Sequence, residues 1–189
     1  CFLNNDVECD DPDWLSRLMV HAIDERVGAV GPMLVYPNGM IQHAGIVLGV
    51  GGAAGHAHRF HDPTKTGYFD RARLPQHISA VTGACMVVRK ANFEKVGGFD
   101  ETRFQVAFND VDLCLKLQAM GLANVYEPRS VLIHHESISR GSDRERRNRK
   151  RFEKELMQLK MVRSTDKIVD PFHNPNLSRL IEQFLIDVF

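Results

Sequence analysis

The sequence predicts an α/β sandwich. Apolar, β-branched stretches at 27–30, 33–36 and 79–88 have the composition of strands. Leu15, Leu18, Met19, Ala22 and Ile23 fall at helical spacing, and a further helix is expected over 110–120. Strands alternating with helices bury their apolar faces by layering helices on a sheet. The 189 residues suffice for one domain with a real core. The balance of 43% hydrophobic to 25% charged residues is that of a globular chain.

The elements follow in order. The chain opens on Cys1-Phe2-Leu3 with no initiator Met, which reads as a start inside a strand, and the polar turn Asn4-Asn5-Asp6 ends it. Asp11 is an expected N-cap with Pro12 at the first helical position. After the strands at 27–30 and 33–36, Pro37-Asn38-Gly39 signals a hairpin whose return strand is 40–48. Residues 49–78, with Gly49, Gly51, Gly52 and Gly55 followed by His56, His58 and His61, read as a long mobile loop. A short helix at 92–96 breaks at Gly97-Gly98, and the helix at 110–120 closes on Gly121. Short strands at 125–126 and 131–133 flank Pro128. Ser142 and Glu145 fit a capping box for a helix whose face carries Phe152, Leu156, Leu159 and Arg163. After a turn-rich 170–175, a last amphipathic helix is expected from Leu180, Ile181, Phe184, Leu185 and Val188.

Composition excludes several classes. Lys plus Arg equals Asp plus Glu at 24 each, which argues against nucleic acid as a partner. The basic run 140–151 is either a solvated helix face or a surface facing an anion. Cys1, Cys9, Cys85 and Cys114 form no CxxC pair, so a zinc ribbon is not indicated; they fit reduced thiols of a cytoplasmic protein. No apolar run approaches the ~20 residues of a membrane span.

Three constellations could carry chemistry. Asn4-Asn5-Asp6 lies at a strand end, where open α/β sheets place ligands, and a carboxylate there can hold Mg²⁺ or Mn²⁺ against phosphates. The bland reading is an Asx turn. Asn109-Asp110-Val111-Asp112 puts two acids in the first turn of a helix, where they favour the helix dipole. Two positions apart, they do not share a face, so one can enter a cleft as a general base while the other supports structure. His134-His135-Glu136 ends a strand; adjacent side chains point to opposite faces, so only one His can reach a given site. Arg140, in Ser-Arg-Gly, suits a phosphate. His43, His56, His58 and His61 lack the helix-borne spacing of zinc peptidases.

Together these residues resemble family-2 glycosyltransferases of the GT-A fold, and among them bacterial surface-polysaccharide and rhamnosyltransferase-like enzymes. Phe2-Leu3-Asn4-Asn5-Asp6-Val7-Glu8 resembles the DxD-type segment, with Asn4 in place of the first acid. Asp13-Trp14-Leu15 follows as in that family. Thr82-Gly83-Ala84-Cys85 through Val96-Gly97-Gly98-Phe99-Asp100-Glu101 is similar to its acceptor-side segment. Phe108-Asn109-Asp110-Val111-Asp112-Leu113-Cys114 resembles its Glu-Asp motif, with Asn109 where Glu is usual. His134 through Gly141 resembles its late metal and pyrophosphate segment, and Asp170-Pro171 with Asn174-Pro175-Asn176-Leu177 its tail.

The resemblance implies a mixed sheet flanked by helices. Residues 1–141 would be the catalytic, acceptor-side part of a GT-A domain and 142–189 a C-terminal helical extension. The nucleotide-binding half would precede Cys1, and without it 1–189 would be inactive. The implied reaction is inverting transfer of a sugar from a nucleotide-diphosphate sugar to a saccharide acceptor, in cell-surface polysaccharide synthesis. Asp110 would be the catalytic base. Asp6 with His134 or His135 would hold Mg²⁺ or Mn²⁺. Asn5 and Arg140 would meet the donor, and Thr82, Gly83 and Asp112 the acceptor. A cytoplasmic location is implied; peripheral membrane association through the acceptor and a homodimer stay open. The competing reading is a non-catalytic binding or assembly module.

Overall fold

The computed structural model describes residues 1–136 and 146–186. Its centre is β3 (Val27–Val35), every residue of which is buried. β9 (Ala123–His134) runs parallel to it from Val27↔Ala123 to Val35↔Ile133. β8 (Cys85–Val88) lies antiparallel on the other side of β3, and β1 (Phe2–Leu3) antiparallel on β8. β2 (Val7–Glu8) pairs antiparallel with the end of β9, so the sheet order is β1-β8-β3-β9-β2. β4 (Ile41–His43) adds to β3, and β7 (Gln76–Ile78) to β9. The sheet is mixed and the chain is α/β.

Helices cover both faces, which is why β3 is apolar throughout rather than alternating. On one face α1 (Trp14–Ala22) buries Leu18 against Val30, Leu34, Val125 and Leu132. On the other, α3 (Asn109–Ala119) brings Val111, Leu113 and Leu117 to Ala29, Met33 and Tyr126. Lys90–Lys95 forms α2 beside it. α4 (Arg146–Arg163) joins the same cluster through fully buried Leu159 and partly buried Leu156.

Several expectations are corrected. The runs at 27–30 and 33–36 are one strand, because Pro32 sits where β9 bulges and no ladder bond is asked of it. The short strands around Pro128 are likewise one strand with a register break; buried Glu127 closes the break by accepting from the Arg129 amide (2.9 Å) and guanidinium (2.6 Å) and from His21 (2.7 Å). The hairpin at Pro37-Asn38-Gly39 is present, with Gly39 at φ +82° and Tyr36 N–H donating to Met40 O. Its return breaks into β4 and β5 (Ile46–Leu48) at Gly45, φ +93°, where a Cβ would stand 2.7 Å from Ile78. α1 starts at Trp14, two residues later than Asp11 as N-cap implied; Asp11 instead accepts from the Asp13 amide.

Residues 49–78 are not the open loop that their glycines imply. β6 (Ala54–His56) pairs with β5, and Ala53, Ala57, His58 and Ala72 are buried. The expected final helix is also absent from 164–186. That segment lies extended over the β5–β6 hairpin: Leu48 N–H donates to Asp170 (2.7 Å), Gly51 N–H to Arg179 O (2.9 Å) and His58 N–H to Glu182 O (3.0 Å). Phe184 stacks on His58 at 4.3 Å. Pro171 and Pro175 and the Asx turns at Asp170 and Asn174 keep the backbone from helix, and Leu180, Leu185 and Ile186 face out. Ser142, Glu145 and Val188 lie outside the described residues. No helix among those described is long and apolar enough to cross a membrane.

Candidate active site at the carboxyl edge of the sheet

The pairing pattern makes β1, β3 and β9 point the same way, so Leu3, Val35 and His134 end at one edge. The turn Asn4-Asn5-Asp6 crosses that edge from β1 to β2, beginning with Asn4 N–H donating to Ala84 O at 2.9 Å. Beside it opens a cleft of about 810 Å³. Asn5, Asp6, Thr82, Gly83, Asp110 and His134 all line it, although they come from four separate segments.

Asp6 and His134 form a pair, with Oδ1 and Nε2 3.2 Å apart. The other ring nitrogen, Nδ1, meets Gln42 Oε1 at 2.7 Å. Gln42 is oriented by its own amide group, which donates to His134 O and to Glu136. An amide oxygen only accepts, so His134 carries a proton on Nδ1. In the neutral ring Nε2 is unprotonated and faces the carboxylate oxygen as a second acceptor; in the protonated ring it donates to Asp6 instead. Two acceptors that close, with the imidazole oriented from behind, are suited to hold one cation between them. Asp6 Oδ1 is buried, and His134 Nε2 is its polar neighbour. His135 points away: its Nε2 meets Glu8 at 3.0 Å on the β2 side. Of the two histidines, His134 is the one in the cleft. Among the described residues no three His, Cys, Asp or Glu side chains converge as a complete cage, so a metal here would need further ligands.

Asp110 stands at the start of α3. Phe108 precedes the helix in left-handed backbone, φ +64°, which turns the chain so that the first carboxylate enters the cleft. Asp110 Oδ2 accepts from the Gly83 amide (2.9 Å) and Oδ1 from the Val111 amide (2.8 Å), while Asn109 Oδ1 accepts from the Asp110 amide. Burial pushes its carboxyl up from the ordinary carboxylate value; the bonds from Gly83, Val111 and Thr82 oppose that rise. A carboxylate poised in this way is a stronger proton acceptor than a free one.

Asp112 is elsewhere. It is 1% exposed and held by Arg163 (2.7 Å) and Lys116 (2.8 Å), outside the cleft lining. A substrate would have to break that ion-pair cluster to reach it, so the expected acceptor contact at Asp112 is replaced by a role in joining α3 to α4. Arg140 lies outside the described residues.

Part of the cleft comes from residues outside the three sequence constellations. Arg59 enters it, hydrogen-bonded to Tyr36 (2.8 Å) and paired with Glu136 (3.3 Å) and Glu182 (3.7 Å). His56 and Gln42 line the wall as well. Gln42 was legible as a polar residue within an apolar strand; Arg59 and Glu182 carry no such signal, since only the folding of 170–184 over the hairpin brings them together.

No protein-family model matches the chain. It is 46% identical over 184 residues, 97% of its length, to a Sinorhizobium fredii protein named Uncharacterized protein y4gI. It is 46% identical over 143 residues, 75% of its length, to the O-antigen biosynthesis protein RfbC of Myxococcus xanthus. It is 32% identical over 125 residues, 62% of its length, to the N-acetylglucosaminyl-diphospho-decaprenol L-rhamnosyltransferase of Mycobacterium tuberculosis. The chain spans 20%, 11% and 40% of these three relatives. Its α/β fold with a mixed sheet is thus that of a segment similar to proteins named for glycosyl transfer and for O-antigen biosynthesis.

Proposed function

We propose that the protein transfers a sugar from a nucleotide-diphosphate sugar to a saccharide acceptor with inversion, in the synthesis of a cell-surface polysaccharide at the cytoplasmic face of the membrane. The observation that carries this reading is that Asp110 and the Asp6–His134 pair share one cleft at the carboxyl edge of the sheet. The names of the relatives support the reaction class.

Asp110 accepts the proton of an acceptor hydroxyl. Its position is held by Gly83 and Val111, so little reorganisation accompanies the transfer. The hydroxyl oxygen bonds to the anomeric carbon as the bond from that carbon to the phosphate oxygen breaks. The nucleoside diphosphate leaves with the bonding pair, and a single displacement inverts the centre. Asn5 and Arg140 are assigned to the diphosphate end, Thr82 and Gly83 to the acceptor end. Asp6 and His134 are the residues that would hold Mg²⁺ or Mn²⁺ at the diphosphate end of the cleft. Bound there, such an ion neutralises charge developing on the leaving group.

The experiment is a donor screen on the protein in its complete form, beside Asp110→Asn. Transfer by the wild type and its loss in the variant is expected. A wild type that only binds saccharide, without releasing nucleoside diphosphate, would replace this reading by a binding module.

A further inference from the structure

One cluster of titratable groups in the cleft takes no part in that reaction. His43, at the end of β4, is fully buried. Its Nε2 receives two backbone amides, Gly45 N–H at 3.3 Å and Thr82 N–H at 3.4 Å. Backbone amides only donate, so Nε2 is the unprotonated nitrogen and the ring's proton is on Nδ1. That Nδ1 faces His56 Nδ1 at 2.9 Å. Two nitrogens at that distance share one proton, and His43 supplies it. His56 Nδ1 is then the acceptor, and neutral His56 carries its own proton on Nε2. His56 is the member of the pair that lines the cleft.

We propose that His56 is a saccharide-recognition residue that offers a fixed, uncharged Nε2–H donor to a hydroxyl oxygen of the bound sugar, with His43 as the positioning residue that sets its tautomer. The saccharide rests on the transfer reading; the tautomer does not. Burial, more than any neighbouring charge, keeps both rings neutral, with His56 brought down from 6.5 to about 3. An anion is the poorer occupant at this end of the cleft. Arg59, the cation beside His56, already faces Glu136 and Glu182, and Glu182 also accepts from the His56 amide at 2.9 Å. A neutral donor beside compensated charges suits a hydroxyl. The same chain of bonds reaches the base: Thr82 donates to His43, and the next amide, Gly83, donates to Asp110. Sugar recognition and base orientation therefore share one backbone segment.

The test has two arms on the complete protein. With ¹⁵N-labelled histidine at neutral pH, ring ¹⁵N shifts should show His56 protonated at Nε2 and His43 at Nδ1. The reverse pattern, or a doubly protonated ring, overturns the proposal. In steady-state transfer, His56→Phe should raise KM for one saccharide substrate about 5–10-fold, the loss of one hydrogen bond, with a smaller change in kcat. His56→Gln, which can accept from His43 and still donate to the cleft, should recover most of it. Equal KM for wild type and a folded His56→Phe overturns the proposal. If the wild type transfers nothing, the transfer reading fails by itself. The His56 Nε2–H signal is then followed on adding N-acetylglucosamine: a shift supports recognition and no shift overturns it.

Discussion

Gly83 N–H donates to Asp110 Oδ2 at 2.9 Å, and this bond ties the segment leading into β8 to the first turn of α3. Residues 27 apart in sequence thereby fix one carboxylate at the cleft wall. Asp110→Asn should lower turnover by ~10²–10⁴-fold with donor affinity nearly unchanged, since a general base acts on the acceptor. Steady-state kinetics with a donor-binding isotherm checks it. Turnover near wild type would remove Asp110 from the reaction.

Asp112→Asn should do the opposite. It leaves Arg163 and Lys116 without their counter-ion in a site where the carboxylate is 1% exposed. The cost should be ~2–3 kcal/mol, below that of a fully buried pair because both cations keep some contact with water. Urea unfolding measures it, and kcat should stay within a few-fold.

Asp6→Ala and His134→Ala should each raise the Mn²⁺ concentration needed for half-maximal activity ~10–100-fold, and Gln42→Ala should move it the same way by freeing the His134 ring. His135→Ala should leave it alone, because that ring meets Glu8. An unchanged Mn²⁺ requirement in Asp6→Ala would withdraw the pair as the metal site.

Acid should unfold the protein early. His43, His56 and His58 are held neutral mainly by burial, His56 falling from 6.5 to about 3 and His58 from 6.5 to about 4. The unfolded chain binds protons at these rings from about pH 6.5 downward and the folded chain does not. Their contribution is therefore complete above pH 6.5 and is lost as pH falls toward 3. Unfolding midpoints at pH 7.5, 6 and 5 should decline, and His56→Gln should make the decline shallower. Equal midpoints would contradict the buried, neutral rings.

Leu159→Ala should cost ~2–5 kcal/mol in a single cooperative transition, because Leu159 is fully buried in the cluster that also holds Met33, Leu117 and Tyr126. A separate, earlier melting of the C-terminal part would show instead that 142–189 folds on its own.

The sheet and α3 were legible because their signals are local: β-branched runs, Gly39 and Gly121 at chain reversals, and acids at a helix start. The strands at 27–35 and 123–134 read as broken because Pro32 and Pro128 suppress strand propensity. Only the partner strand shows that Pro32 pairs with Glu127 just before β9 bulges, with Pro128 in the unpaired stretch of that bulge. The glycine-rich 49–78 read as open because its burial depends on 170–184 lying over it, a contact with no local signature. The same dependence hid Arg59, and the His43–His56 pair needed the Gly45 turn to bring its rings together.

Incubation of the complete protein with a panel of nucleotide-diphosphate sugars, Mn²⁺ and saccharide acceptors, followed by determination of the anomeric configuration of the product, decides whether it is an inverting transferase. Nucleoside diphosphate release coupled one-to-one to a glycoside of inverted configuration is the expected result. A glycoside of retained configuration, or diphosphate release into water with no glycoside formed, would contradict it.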